Sequence, residues 1–129
     1  MIVDDDLDDR FFFHEAVNTI DASFECIEAD NGENALGQLR LSKQLPDFIF
    51  LDLNMPRMDG KQCLKELKKD ERLKNTPVII YSTSSFKRDI DNTRELGAAH
   101  FLTKISDISK LPGMITSAMA HASIGSSIK

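Results

Sequence analysis

Asp4, Asp5, Asp6, Asp8 and Asp9 crowd the first nine residues. Another aspartate, Asp52, closes the apolar run Phe48-Ile49-Phe50-Leu51 and is followed by Leu53-Asn54-Met55-Pro56. Ser82-Thr83-Ser84 closes a second run, Val78-Ile79-Ile80-Tyr81, and Thr103-Lys104 follows His100-Phe101-Leu102. Gathered in one place, two or three carboxylates and a carbonyl make a hard oxygen site. Mg2+ suits such a site, because it takes few protein ligands and keeps several waters and a phosphate oxygen. Without a cation, crowded carboxylates repel and some protonate. An aspartate can also attack phosphorus to give an aspartyl phosphate. A lysine and a hydroxyl beside it would hold the oxygens of the transferred group.

Spacing along the chain does not bring these groups together; a parallel sheet would. The two apolar runs are short and bounded by Pro, Asp, Asn or Ser, as expected of strands buried on both faces. Phe24-Glu25-Cys26-Ile27 and His100-Phe101-Leu102-Thr103 are further strand candidates, and Ile2-Val3 is the visible end of another. Between them lie helical patterns. Asp8 is placed to cap a helix carrying Phe12, Phe13, Ala16, Val17 and Ile20 on one face. Residues 34–43 carry Leu36 and Leu39, residues 60–70 carry Cys63, Leu64 and Leu67, and residues 85–96 turn Ile90, Thr93 and Leu96 inward before the stop at Gly97. The last pattern aligns Leu111, Met114, Ile115, Ala118, Met119 and Ala122; because Pro112 is tolerated only in a first turn, this helix is expected to start near Lys110 or Leu111. Strand and helix thus alternate five times, which predicts an α/β layered domain with helices on both faces. In such sheets ligands bind outside the carboxyl ends of the strands, where the acids, hydroxyls and lysine fall.

The whole chain, residues 1–129, reads as one domain. It is 41% hydrophobic and 29% charged, as expected of a globular domain. With 16 Lys and Arg against 21 Asp and Glu, the net charge is −5, which argues against a nucleic-acid surface. No apolar run nears the roughly 18 residues of a bilayer span, no signal peptide is visible, and no membrane partner is expected. Cys26 and Cys63 lack zinc or disulfide spacing, which suits a reducing cytoplasm. His14, His100 and His121 share no ligand spacing, and Lys65, Lys68 and Lys69 read as a solvated helix face.

Four stretches in order resemble the receiver domain of two-component response regulators. They are Val3-Asp4-Asp5-Asp6, Phe50 to Gly60, Pro77 to Ser84, and Gly97 to Lys104, and the resemblance covers essentially the whole chain. It implies a flavodoxin-like, doubly wound five-stranded parallel sheet of order 2-1-3-4-5 with five helices. It implies Asp52 as phosphoacceptor, Asp5 as a direct Mg2+ ligand with Asp4 assisting, and the backbone carbonyl of Asn54 as a further ligand. Lys104 would pair with the phosphoryl group and with Asp52. Ser82 would be the switch hydroxyl, Phe101 the switch aromatic, and Gly60 would shape the loop after Asp52. Three features depart from the family pattern. Ile105 stands where a proline, often cis, usually follows the lysine, which leaves the Lys104–Ile105 geometry open. Only Met1-Ile2-Val3 precede the acids, so the first strand reads as truncated. Phe101 lacks the hydroxyl of a tyrosine. The Ile105 replacement and the Ser-Thr-Ser run resemble single-domain receivers that partner phytochrome-type histidine kinases.

The resemblance implies a stand-alone switch: a sensor histidine kinase or phosphotransfer protein as donor, Mg2+ as cofactor, and output to a downstream protein by contact. A homodimer through the fourth helix, fifth strand and fifth helix is a further option. A turnover enzyme is not expected. Aspartyl phosphatases of the haloacid-dehalogenase type carry a second acid two positions after the nucleophile, and here that position is Asn54. The competing reading is a receiver-fold binding module that is never phosphorylated.

Overall fold

The computed structural model of the protein describes residues 1–127. Its strands are β1 (Ile2–Val3), β2 (Glu28–Ala29), β3 (Ile49–Leu51), β4 (Val78–Ser82) and β5 (His100–Thr103). The helices are α1 (Leu7–Ile20), α2 (Gly32–Leu41), α3 (Gly60–Lys69), α4 (Lys87–Glu95) and α5 (Leu111–Ser127), the last preceded by a 3₁₀ turn at Ile108–Lys110. All strand pairs are parallel, in the order β2-β1-β3-β4-β5. The expected flavodoxin-like architecture is the observed one.

Strand alternation divides the core into two layers. Val3, Leu51 and Ile80 point to one face, where they meet Leu36 and Leu39 of α2 and Cys63, Leu64 and Leu67 of α3. Ile2, Phe50, Ile79 and Tyr81 point to the other, against Phe13 and Ala16 of α1 and Ile115, Ala118 and Ala122 of α5. Because both faces are covered, β1, β3 and the Val78–Ile80 stretch of β4 are apolar throughout.

Several local expectations need correction. The helix α1 is capped by Asp6, whose carboxylate accepts from the Asp9 N–H at 3.0 Å, rather than by Asp8. Its buried face runs through Phe13 and Ala16, while Phe12 is 37% exposed and makes an edge contact with Phe11. The second strand is Glu28–Ala29 rather than the stretch from Phe24 to Ile27. The reason lies in its partner: β2 is an edge strand paired only with β1, which has two residues, and the ladder reaches just Ile27 and Ala29 through the N–H groups of Ile2 and Asp4. Lys68 is not simply solvated, since its ammonium donates to the carbonyls of Lys74 and Thr76 and its stem packs against Gly97. Gly97 does end the fourth helical segment, at φ 107°. Pro112 lies in the first turn of α5, which starts at Leu111. No described peptide bond is cis, so Lys104–Ile105 is trans.

Candidate functional site

The sheet register builds the site. Val3, Leu51, Ile80 and Phe101 stand level across the four central and edge strands. The residues that follow, Asp4 and Asp52, therefore leave the sheet abreast, and the Asp52 N–H still bonds the Val3 carbonyl at 3.0 Å. Ser82 pairs with Thr103, and the Lys104 N–H donates to the Ser82 carbonyl at 2.7 Å. A residue from β1, one from β3 and one from β5 are thus delivered to one rim by backbone pairing alone.

Asp4, Asp5 and Asp52 each offer a carboxylate oxygen within 4.8 Å of the others. Asp4 is fully buried, Asp52 is 5% exposed, and Asp5 faces solvent. One oxygen of Asp4 accepts from the Asp6 N–H at 2.9 Å and the other from Lys104 at 2.7 Å. The Asp4 backbone carbonyl is held by the Arg10 guanidinium at 2.7 Å, which also reaches Glu28. Such anchoring fixes the buried carboxylate before any ligand arrives.

Among the described residues, Lys104 is the single ammonium in this group of acids. Its Nζ lies 2.7 Å from Asp4, 2.8 Å from Asp9 and 3.8 Å from Asp52, and 5.3 Å from the centre of the Tyr81 ring. The contact with Asp52 is therefore an ion pair without a direct hydrogen bond, while Asp4 and Asp9 take the hydrogen bonds. Burial opposes charge on the lysine, yet its hydrogen bonds to Asp4 and Asp9 win and hold its pKa above the usual lysine range. Asp52 is pushed up to about 6, chiefly by burial; Lys104 counters this and the negative charge of Asp4 adds to it. Burial likewise raises Asp4, against the pull of Lys104, and lifts the Tyr81 phenol to about 12. Carboxylates held this reluctantly in the charged state are the donor set a hard divalent cation relieves.

Gly60 closes the loop after Asp52. Its N–H donates to the Leu53 carbonyl at 2.9 Å, and a Cβ there would sit 2.2 Å from the Asp52 carbonyl oxygen. No other residue fits at that approach. The side chain of Asn54 is exposed, two positions beyond Asp52.

Ser82 is fully buried at the end of β4, and its hydroxyl accepts weakly from the Ser84 N–H at 3.3 Å. Ser84 in turn donates to Asp89 of α4 at 2.6 Å, and Lys61 of α3 donates to the same carboxylate at 2.9 Å. Phe101 is half-buried against the α2–α3 core layer. His100 stacks on His121 at 5.0 Å at the opposite end of β5 from the acids.

Asp4, Asp5, Asp52, Ser82 and Lys104 are thus all brought to one edge of the sheet. Sequence reasoning assigned no role to Asp9. The signal was present as an acid two positions into a helix that starts beside the pocket, but only the fold shows it facing Lys104.

Comparison with known proteins bears on the family and the fold. A family model described as the response regulator receiver domain matches residues 1–116. Response regulator Rcp1 of Synechocystis sp. is 30% identical over 120 residues, covering 89% of this chain and 82% of that protein. The polar-differentiation response regulator DivK of Brucella anthropi is 28% identical over 122 residues, covering 95% and 96%. Among solved structures, the phosphorylated cyanobacterial phytochrome response regulator RcpA superposes with a TM-score of 0.82 at 31% identity, covering 90% of this chain and 86% of that one. The Mn2+-bound form of Rcp1 gives 0.79 at 30% identity, covering 90% and 87%. The chain belongs to the response regulator receiver domain family of two-component signalling.

Proposed function

We propose that residues 1–129 form a receiver unit in which Asp52 accepts a phosphoryl group from the phosphohistidine of a sensor kinase or phosphotransfer protein. The observation that carries this reading is a nearly buried Asp52 with two further carboxylates within 4.8 Å and the Lys104 ammonium 3.8 Å away. In the transfer, an oxygen of Asp52 bonds to phosphorus as the P–N bond to the donor imidazole breaks, and the imidazole keeps the electron pair. The product is a mixed anhydride on Asp52, and no substrate turns over. Lys104 would hold an oxygen of the transferred group, and Ser82 would approach it by giving up its weak bond from Ser84.

Asp4, Asp5, Asp52 and the Asn54 carbonyl would hold Mg2+, which supplies positive charge to the phosphoryl oxygens when bound. The three clustered carboxylates support this, as do relatives whose structures are described as Mn2+-bound and phosphorylated. The charge of about −1.5 to −2 that arrives with the phosphoryl group biases an existing equilibrium. Movement of Ser82 leaves room for Phe101 to turn, and α4, β5 and α5 pass the change to a downstream protein or to a second copy of the chain. No described helix is long and apolar enough to cross a membrane.

The test is incubation with Mg2+ and acetyl phosphate or phosphoramidate, read by intact mass. One phosphoryl adduct is expected on the wild type and none on Asp52→Asn. Absence of an adduct with every donor would support the unphosphorylated binding module instead, and an adduct persisting in Asp52→Asn would mean a different acceptor.

A further inference from the structure

Lys104 has three N–H donors, and its two short bonds go to carboxylates of different character. Asp4 is fully buried and fixed by the Asp6 N–H. Asp9, on the first turn of α1, has a 36% exposed side chain at 2.8 Å from the same ammonium. Asp52 stands 3.8 Å away, beyond hydrogen-bond range. The three acids therefore compete for one cation, and Asp9 is the partner that water can replace. A half-exposed ion pair is screened and worth little, whereas uncovering the buried Asp4 would leave a charge without its counter-ion.

We propose that Asp9 is a positioning residue for Lys104. It holds the ammonium on the α1 side of the pocket while Asp52 is free, and surrenders it when a phosphoryl oxygen on Asp52 competes. The Asp4 bond acts as the pivot, because Asp4 is held by both its backbone and its carboxylate. The lysine has only to exchange one partner. This inference rests on the reading of Asp52 as phosphoacceptor and Lys104 as the holder of its oxygens.

The test uses the full chain, Mg2+ and beryllofluoride, a mimic of the phosphoryl group that needs no chemical step. Asp9→Asn removes the competing charge, so beryllofluoride should bind about 1.5- to 5-fold more tightly, the range a half-exposed ion pair can withhold. Asp9→Glu should return the affinity toward wild type. Asp8→Asn removes a neighbouring first-turn charge that is not a partner of Lys104, and should leave affinity unchanged. NMR of the Lys104 ammonium in the ligand-free protein gives an independent reading: its resonance should move in Asp9→Asn, return in Asp9→Glu and stay in place in Asp8→Asn.

Unchanged or weaker binding in Asp9→Asn, or an equal effect from Asp8→Asn, overturns the handover while leaving Asp52 as phosphoacceptor. A wild type that binds no beryllofluoride overturns both readings together. A Lys104 resonance indifferent to Asp9→Asn removes the positioning contact itself.

Discussion

The backbone of Asp52 and the α-carbon of Gly60 are in contact. A Cβ at position 60 would lie 2.2 Å from the Asp52 carbonyl oxygen and 2.6 Å from the Leu53 α-carbon. Both obstacles are main chain, so no rotamer relieves them. Gly60→Ala is expected to cost about 1–3 kcal/mol through overpacking and to push Asp52 out of line with Asp4 and Lys104. Urea unfolding should show the loss. A fall in acetyl-phosphate labelling larger than the change in fraction folded should show the displacement.

Asp52 also makes stability depend on pH in the metal-free protein. Its pKa is about 6 when folded and 3.8 as an ordinary aspartate. The folded state therefore binds the proton more tightly, and stability falls as pH rises from about 4 to about 6. Asp52→Asn cannot ionise, so it should be more stable than wild type at pH 7, with the gap closing toward pH 4. Thermal melts in chelator across this range check the sign; a gap that widens toward acid would contradict it.

Cation binding should recover that loss at neutral pH. A ligand that binds only the folded state adds about 2.7 kcal/mol at a hundred times its Kd. Wild type should gain melting temperature with Mg2+ at pH 7, and Asp5→Asn and Asp52→Asn should gain much less.

The cap of α1 separates two adjacent acids. Asp6 accepts from the Asp9 N–H, whereas Asp8 is merely exposed in the first turn. Asp6→Ala should destabilise by about 0.5–2 kcal/mol. Asp8→Ala should fall within about 0.5 kcal/mol of wild type.

Asp89 ties the start of α4 to the loop after Ser82. It accepts from Ser84 at 2.6 Å and from Lys61 at 2.9 Å, and the Phe86 N–H rests on the Ser84 hydroxyl at 3.3 Å. The helix has no side-chain cap and buries only Thr93, so these bonds carry much of its attachment. Asp89→Ala should cost about 1–2 kcal/mol and speed amide exchange at Phe86 more than in β4. Uniform exchange changes across the sheet would instead indicate a global effect.

The architecture was legible in sequence because its causes are local. Phe50-Leu51 and Val78-Ile79-Ile80 are apolar without alternation, which only a doubly covered strand requires. Gly97 and Pro112 mark a helix end and a helix start by backbone chemistry alone. The polar residues at strand ends then had to meet at one edge, since parallel strands all finish there.

Other features depended on partners distant in sequence. The length of β2 follows from the two residues of β1. The choice of Asp6 over Asp8 as cap follows from where the chain leaves the buried Asp4, whose carboxylate already holds the Asp6 N–H.

The sequence by itself determined the alternation of strands and helices, because hydrophobic periodicity is written in consecutive residues, and its resemblance to receiver domains implied Asp4, Asp5, Asp52, Ser82 and Lys104 among the polar residues at the strand ends. Only the tertiary structure decided how Lys104 divides itself. Its bonds to Asp4 and Asp9 join residues 100 and 95 positions apart. Which carboxylate wins depends on burial and on distances of about an ångström, and those exist only once β1, β3, β5 and α1 are packed together.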